Sequence, residues 1–187
     1  PRTETSICVP KSVYGKTKLQ GEERVLYTNP TALICRTNFF GFAPKLDSLL
    51  DFIVRSGKNR LALNGYCDVF FNTLYVKELI NIVVDLVNAN ESGIYNVMGT
   101  ETLSKYEFAN LVFEKFGYDK SLIKQQHASE NKDFAEMRNL NLSVETLKLR
   151  KFLGRPLYIE ESINWAASDF FADHKGDRYE DNRHGQI

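Results

Sequence analysis

Cysteine is scarce in this 187-residue chain and scattered. Cys8, Cys35 and Cys67 form no C-x-x-C pair, and their number is odd. Such a pattern fits a reducing compartment better than a disulfide framework or a zinc site. Histidine is as sparse: His127, His174 and His184 lie in polar stretches without metal-ligand spacing, so they read as solvated surface and no metal is expected. Charge of neither sign is in excess. Lys+Arg and Asp+Glu number 24 each, which leaves no basic field for nucleic acid or anionic lipid. Apolar runs are short. The stretch 79–87 is broken by Asn81 and Asp85, far below the roughly 20 residues that span a bilayer. Pro1-Arg2-Thr3-Glu4 does not open an apolar signal segment. Asn90-Glu91-Ser92 and Asn141-Leu142-Ser143 match the glycosylation pattern, which reads as accidental without a secretory signal. The expectation is a soluble cytoplasmic protein with neither a membrane nor a nucleic-acid partner.

What is present is 43% hydrophobic content, enough for one core or two small lobes. After polar residues 1–12, the spacing predicts a helix from 11 to about 27, opened by Pro10 and stopped by Asn29-Pro30. Residues 31–37 read as a buried strand, 38–41 as a loop leaving it, and 46–55 as a helix ended by Gly57. Short strands at 61–63 and 69–75 flank an Asn64-Gly65 turn, and 76–90 is an amphipathic helix. A strand follows at 94–97. Ser104 with Glu107 forms a capping box for a helix at 105–116, which Gly117 stops. Residues 121–139 are polar and weakly patterned. Ser143 is placed to cap a helix at 144–152, a last helix runs over 159–171, and the polar tail 173–187 is expected to fray. Alternating strands and helices predict an α/β fold, with a smaller α+β lobe after residue 60.

Chemistry concentrates at Tyr14-Gly15-Lys16-Thr17-Lys18. Tyr14 and Lys18 stand at i and i+4 of the first helix, on one face and about 5–6 Å apart at Cβ. A free phenol titrates near ~10 and is a poor acid at neutral pH, but a neighbouring positive charge favours the phenolate and suits it to acid–base work. Alone the spacing is common. Its surroundings add Glu4 and Pro10 before it and Leu19 and Glu22 after it, then Arg36-Thr37-Asn38-Phe39-Phe40-Gly41. Further on come Phe71-Asn72-Thr73-Leu74-Tyr75-Val76-Lys77-Glu78-Leu79, Gly93-Ile94-Tyr95-Asn96-Val97-Met98-Gly99 and Ser104-Lys105-Tyr106-Glu107-Phe108-Ala109. In that order, over about residues 4–155, these segments resemble the extended short-chain dehydrogenase/reductases that act on nucleotide sugars. Within them the group of dTDP-4-dehydrorhamnose reductases is most similar.

The resemblance implies an NAD(P)-dependent reductase of a nucleotide-linked 4-keto-6-deoxy sugar, with NADP or NAD as cofactor. Tyr14 would be the proton donor to the sugar ketone, and Lys18 would bind the nicotinamide ribose and tune Tyr14, so both belong to the catalytic and cofactor sites. Phe39 falls where such reductases often stack an aromatic ring on the sugar, or it is a core residue flanking a strand end. Asn38 and Asn72 are candidate substrate contacts, while Asn72, Thr73 and Tyr75 also admit ordinary packing. Arg36 meets a phosphate or ties strand to helix. The family's Gly-rich pyrophosphate turn and the strand bearing its Ser/Thr have no counterpart in this sequence. The chain therefore reads as the C-terminal part of a Rossmann-type fold: residues 1–60 a Rossmann remnant, 61–172 a substrate-binding lobe, 173–187 a tail. By itself it is expected to bind NAD(P) weakly and to be inactive. A homodimer through the Tyr-bearing helix is implied. A same-fold epimerase or 4,6-dehydratase, or a non-catalytic regulatory subunit, remains open.

Overall fold

A computed structural model describes residues 2–130 and 140–173. In chain order these residues form α1 (Val13–Thr28), β1 (Leu33–Thr37), β2 (Phe39–Phe40), α2 (Leu49–Lys58), β3 (Leu63–Tyr66), β4 (Phe70–Phe71) and β5 (Leu74–Tyr75). Then come α3 (Val76–Asn88), β6 (Gly93–Val97), β7 (Leu103–Ser104), α4 (Lys105–Phe116), β8 (Ile123–Gln126), α5 (Leu147–Leu153) and α6 (Ile159–Asp173). The class is α/β, as expected. Three of the four strand pairs are parallel: β1 with β6, β2 with β5, and β3 with β8. The fourth, β4 with β7, is antiparallel.

The β1–β6 pair organises the first layer. Strand alternation turns Leu33, Cys35, Tyr95 and Val97 toward a core filled by Leu79, Ile82 and Leu86 of α3 and by Leu149 of α5. Arg36 and Asn96 sit at the intervening positions and line a groove against α1. A second core gathers Leu50 and Ile53 of α2, Phe108 and Phe113 of α4 and Ile163 of α6, with Phe40, Phe71 and Tyr75 from the short strands. The two-residue strands β2, β4 and β5 thus deliver aromatic rings from loop-like sequence into the middle of a helical cluster.

Several expectations are corrected. Helix α1 starts after Ser12, whose hydroxyl accepts from the Gly15 N–H at 3.1 Å, so Pro10 precedes the helix rather than opening it. The expected buried strand 31–37 is only half-buried over Leu33–Arg36, and Thr37 is exposed. The 38–41 loop contains β2, because Phe39 and Phe40 pair with Leu74 and Tyr75. Helix α2 begins at Leu49 because Ser48 and Asp51 form a capping box, while Leu46 lies outside in a left-handed conformation (φ 55°). Gly57 does not end that helix; it lies within it, beneath a ring, since a Cβ there would be 2.2 Å from Tyr118 Cδ2. Asn64-Gly65 is not a turn but the centre of β3, paired with Lys124 and Gln125. Ser143 caps nothing: its N–H and hydroxyl turn onto Asn141 Oδ1 at 2.9 and 2.6 Å. Helix α5 waits until Leu147, because the Val144 N–H is held by Asn72 and the Glu145 N–H by the Arg2 carbonyl. The capping box of α4 and its stop at Gly117 (φ 73°) stand as expected. Most of the tail at 173–187, including His174 and His184, and the 131–139 part of the weakly patterned stretch lie outside the described residues.

Candidate functional site

Tyr14 and Lys18 are both exposed on α1, and the Lys18 ammonium lies 5.4 Å from the centroid of the Tyr14 ring. The predicted i, i+4 meeting is therefore formed. Gly15 between them is required by space, since a Cβ would stand 2.9 Å from Pro10 Cβ and push the helix off the preceding segment. Lys18 borders a groove of about 260 Å³, together with Pro10, Glu22, Arg36, Asn96 and Met98.

Helix α1 buries none of its side chains completely. Its polar tie to the sheet is a chelated ion pair. Arg36 Nε lies 3.0 Å from both Glu22 oxygens, and its terminal nitrogen lies 2.7 Å from Oε2, with both side chains about 20% exposed. A second terminal nitrogen of Arg36 donates to the Glu4 carbonyl at 3.4 Å, and the Glu4 carboxylate accepts from the Asn96 N–H at 3.1 Å. The hydrogen bond to Glu22 holds the guanidinium protonated against the opposing effect of burial. Of the two readings open for Arg36, the strand-to-helix tie is the one formed. The Glu4 clamp on β6 had no signal in the sequence beyond the presence of Glu4 ahead of Pro10.

Asn38 and Phe39 line a second cleft of about 290 Å³, with Thr73 and Lys105 at its polar side and Leu49 and Phe71 among its apolar walls. Phe39 is 53% exposed there, whereas Phe40 is buried at 6%. The core alternative therefore fits Phe40 and not Phe39. Asn72 is absent from the lining of both clefts. Its side chain is 1% exposed, and its amide nitrogen donates to the Gly99 and Glu101 carbonyls at 3.0 Å each. Its oxygen accepts from the Val144 N–H at 2.9 Å, and its own carbonyl accepts from Asn38 Nδ2 at 3.0 Å. Asn72 braces the loop that carries Asn38; its amide is fully engaged by the protein. Thr73 and Tyr75 are buried, with the Tyr75 hydroxyl donating to Asp169 at 2.8 Å.

A further group escaped the sequence reading. Cys67 Sγ lies 3.5 Å from both ring nitrogens of His127, and Asp68 lies 3.9 Å from Nδ1. Burial pushes the Asp68 carboxyl up, but hydrogen bonds from the Ala128 and Ser129 N–H groups outweigh it and hold it at about 2. His127 itself is half-exposed. Among the described residues no helix is long and apolar enough to cross a membrane.

Known proteins share this arrangement of elements. The family described as RmlD substrate binding domain matches residues 1–164. Over 118 residues the chain is 28% identical to the dTDP-4-dehydrorhamnose reductase of Aggregatibacter actinomycetemcomitans, covering 60% of this chain and 40% of that protein. Over 132 residues it is 33% identical to methionine adenosyltransferase 2 subunit beta of Xenopus laevis, covering 65% and 39% respectively. The chain spans about two fifths of the length of the curated relatives it matches. A crystal structure of dTDP-4-dehydrorhamnose reductase from Bacillus anthracis, in complex with NADP, aligns with TM-score 0.77 at 22% identity. That alignment covers 90% of this chain and 59% of the other, and at such identity it speaks for the fold.

Proposed function

We propose a function from the premise that this chain belongs to the RmlD substrate binding domain family. It is the substrate-facing part of an NAD(P)-dependent reductase of a nucleotide-linked 4-keto-6-deoxy sugar. The observation that carries this reading is the Tyr14–Lys18 pair, exposed on one helix face, with Lys18 at the edge of a groove whose lining does not include Tyr14 and with no carboxylate in ion-pair contact with Lys18 among the described residues.

The donor set fits one end of a dinucleotide. A phenol and an unpaired ammonium on one face suit the vicinal hydroxyls of a ribose, and Lys18 would hold them there. The pyrophosphate finds no Gly-rich turn in this sequence. When bound, the nicotinamide supplies the hydride. Tyr14 then delivers the phenol proton to the ketone oxygen of the sugar, and the Lys18 charge stabilises the phenolate left behind. Asn38 and Phe39 would receive the sugar in the second cleft, with the exposed Phe39 ring as an apolar platform. Asn72 serves by bracing Asn38 rather than by touching substrate. We place the part that would join the cofactor half within residues 1–60, at α1 and β1, with the substrate lobe over 61–172. The exposed Val13 and Tyr27 of α1 offer a face for the homodimer.

The test is direct. Full-length protein mixed with NADPH and a dTDP-4-keto-6-deoxy sugar should consume the reduced cofactor stoichiometrically, and Tyr14→Phe should lower turnover by orders of magnitude with cofactor affinity nearly unchanged. No net loss of NADPH would favour the same-fold epimerase or dehydratase. A second reading, a non-catalytic regulatory subunit, draws support from the likeness to a protein named as a subunit. Unaltered turnover in Tyr14→Phe would remove the role given to that residue.

A further inference from the structure

Lys18 has a competitor for its charge one helical turn away. Glu22 stands at i+4 from Lys18, the spacing at which a helical lysine and glutamate reach each other, and it borders the same groove. Left to itself, that carboxylate would draw the ammonium along the helix and away from the phenol. Even in the less favourable order, Lys before Glu, the carboxylate would set an uncompensated negative charge beside the pair. Arg36 prevents this. All three of its described contacts to Glu22 fall at 2.7–3.0 Å, and both carboxylate oxygens are engaged. A planar fork on a carboxylate is the strongest common ion-pair geometry, and this one is largely shielded from solvent. Lys18 makes no ion pair among the described residues, and its described contact is the Tyr14 ring. Arg36 itself is fixed by β1 and by the Glu4 carbonyl, so it cannot follow the helix surface.

We propose that Arg36 is a positioning residue: by chelating the Glu22 carboxylate it keeps that charge off Lys18 and leaves the Lys18 ammonium free to serve Tyr14. The inference rests on the reductase reading of Tyr14 and Lys18. The influence of Arg36 on Tyr14 passes through Glu22, whose carboxylate it holds. A lysine at this position would hold the carboxylate by a single point of charge and release it part of the time.

Two readouts on the full-length protein test it. The first is trace acetylation of amines without cofactor, with Lys18 labelling read by peptide mass mapping against Lys16 of the same exposed helix. Arg36→Leu should lower the Lys18 to Lys16 ratio about 1.5- to twofold, and Arg36→Leu combined with Glu22→Gln should restore it. Glu22→Gln alone should leave the ratio at or above the wild-type value, which keeps the test alive if Arg36→Leu does not fold. The second readout is kcat. It should fall on the order of tenfold in Arg36→Leu, recover in the double variant, and recover in part at ~1 M salt, where screening reaches about 3 Å. Arg36→Lys should fall between. An unchanged labelling ratio in Arg36→Leu, a fall in Glu22→Gln, or a double variant as poor as Arg36→Leu would overturn the proposal and leave Arg36 a structural tie. If the labelling pattern holds but wild-type protein reduces no keto sugar, the reductase reading fails while the assignment of Arg36 to Lys18 stands.

Discussion

Replacing Asn72 by alanine removes a side chain that ties its own loop to the loop at 99–101 and to Val144. The amide nitrogen donates to Gly99 O and Glu101 O at 3.0 Å, and the amide oxygen accepts from Val144 N at 2.9 Å, all at a residue 1% exposed. A buried hydrogen bond contributes about 1 kcal/mol net, and a partner left unsatisfied costs about 1–3 kcal/mol. Losing three together should therefore destabilise by about 3–4 kcal/mol, a large share of the roughly 5–15 kcal/mol that holds a domain. For a chain of this size each kcal/mol moves Tm by about 2–4 °C, so the expected drop is about 10 °C. Thermal and urea unfolding followed by circular dichroism measure it. Asn72→Asp should lose at least as much, since it sets a carboxylate against two carbonyl oxygens. A substrate contact would behave in the opposite way, raising KM while leaving Tm in place. A Tm within about 2 °C of wild type together with a raised KM would refute the bracing role.

The remaining predictions concern packing and protons. Gly57→Ala would gain helix propensity of up to ~1 kcal/mol in an open helix, but here its Cβ would meet Tyr118 Cδ2 at 2.2 Å. Overpacking of this kind costs about 1–3 kcal/mol, so urea unfolding should show a net loss, and a more stable variant would disprove the contact. Asp68 is held at about 2, below its ordinary 3.8, because the Ala128 and Ser129 N–H groups outweigh the effect of burial. A carboxyl lowered by folding stabilises fully above its unfolded value and loses that contribution as pH falls through the folded one. The stability difference between wild type and Asp68→Asn should thus be constant above pH ~5 and shrink as pH falls from 3.8 toward 2. An NMR titration placing the Asp68 carboxyl at its ordinary value would contradict this.

Local signals were legible and distant ones were not. The α4 helix could be read from Ser104 to Gly117 because both its capping box and its left-handed stop lie within the element. Tyr14 and Lys18 could be paired for the same reason, since helical spacing fixes their meeting. Gly57 and Gly65 misled because turn chemistry was assigned to residues whose missing side chains serve close approach: to Tyr118 in one case and to the Tyr106 backbone in the other. For Asn72 the sequence leaves both a substrate contact and ordinary packing open, because its partners lie 27, 29 and 72 residues along the chain. Arg36 had two readings until Glu22, 14 residues away, was seen to chelate it. The apolar sequence of 31–37 alone predicts a buried strand. In the fold α3 and α5 cover one face, and the other looks onto the groove beneath α1.

That groove bears on the choice between a catalyst and a subunit that has merely kept the fold. Stability makes little demand on Tyr14 or Lys18, since α1 buries none of its side chains fully and is tied to the sheet through Glu22 and Arg36. A surface kept only for docking has no need to hold a lysine free of the carboxylate one turn along the helix. An acid–base pair has that need, because the ammonium must answer to the phenol and not to a neighbouring anion. The reductase reading accounts for Tyr14, Lys18 and the chelation of Glu22 with a single requirement, whereas the subunit reading accounts for the ion pair and leaves the other two residues without a purpose. The two readings part at Tyr14→Phe: a subunit keeps its partner's activity with the ring intact and the hydroxyl gone, and a reductase loses its proton donor.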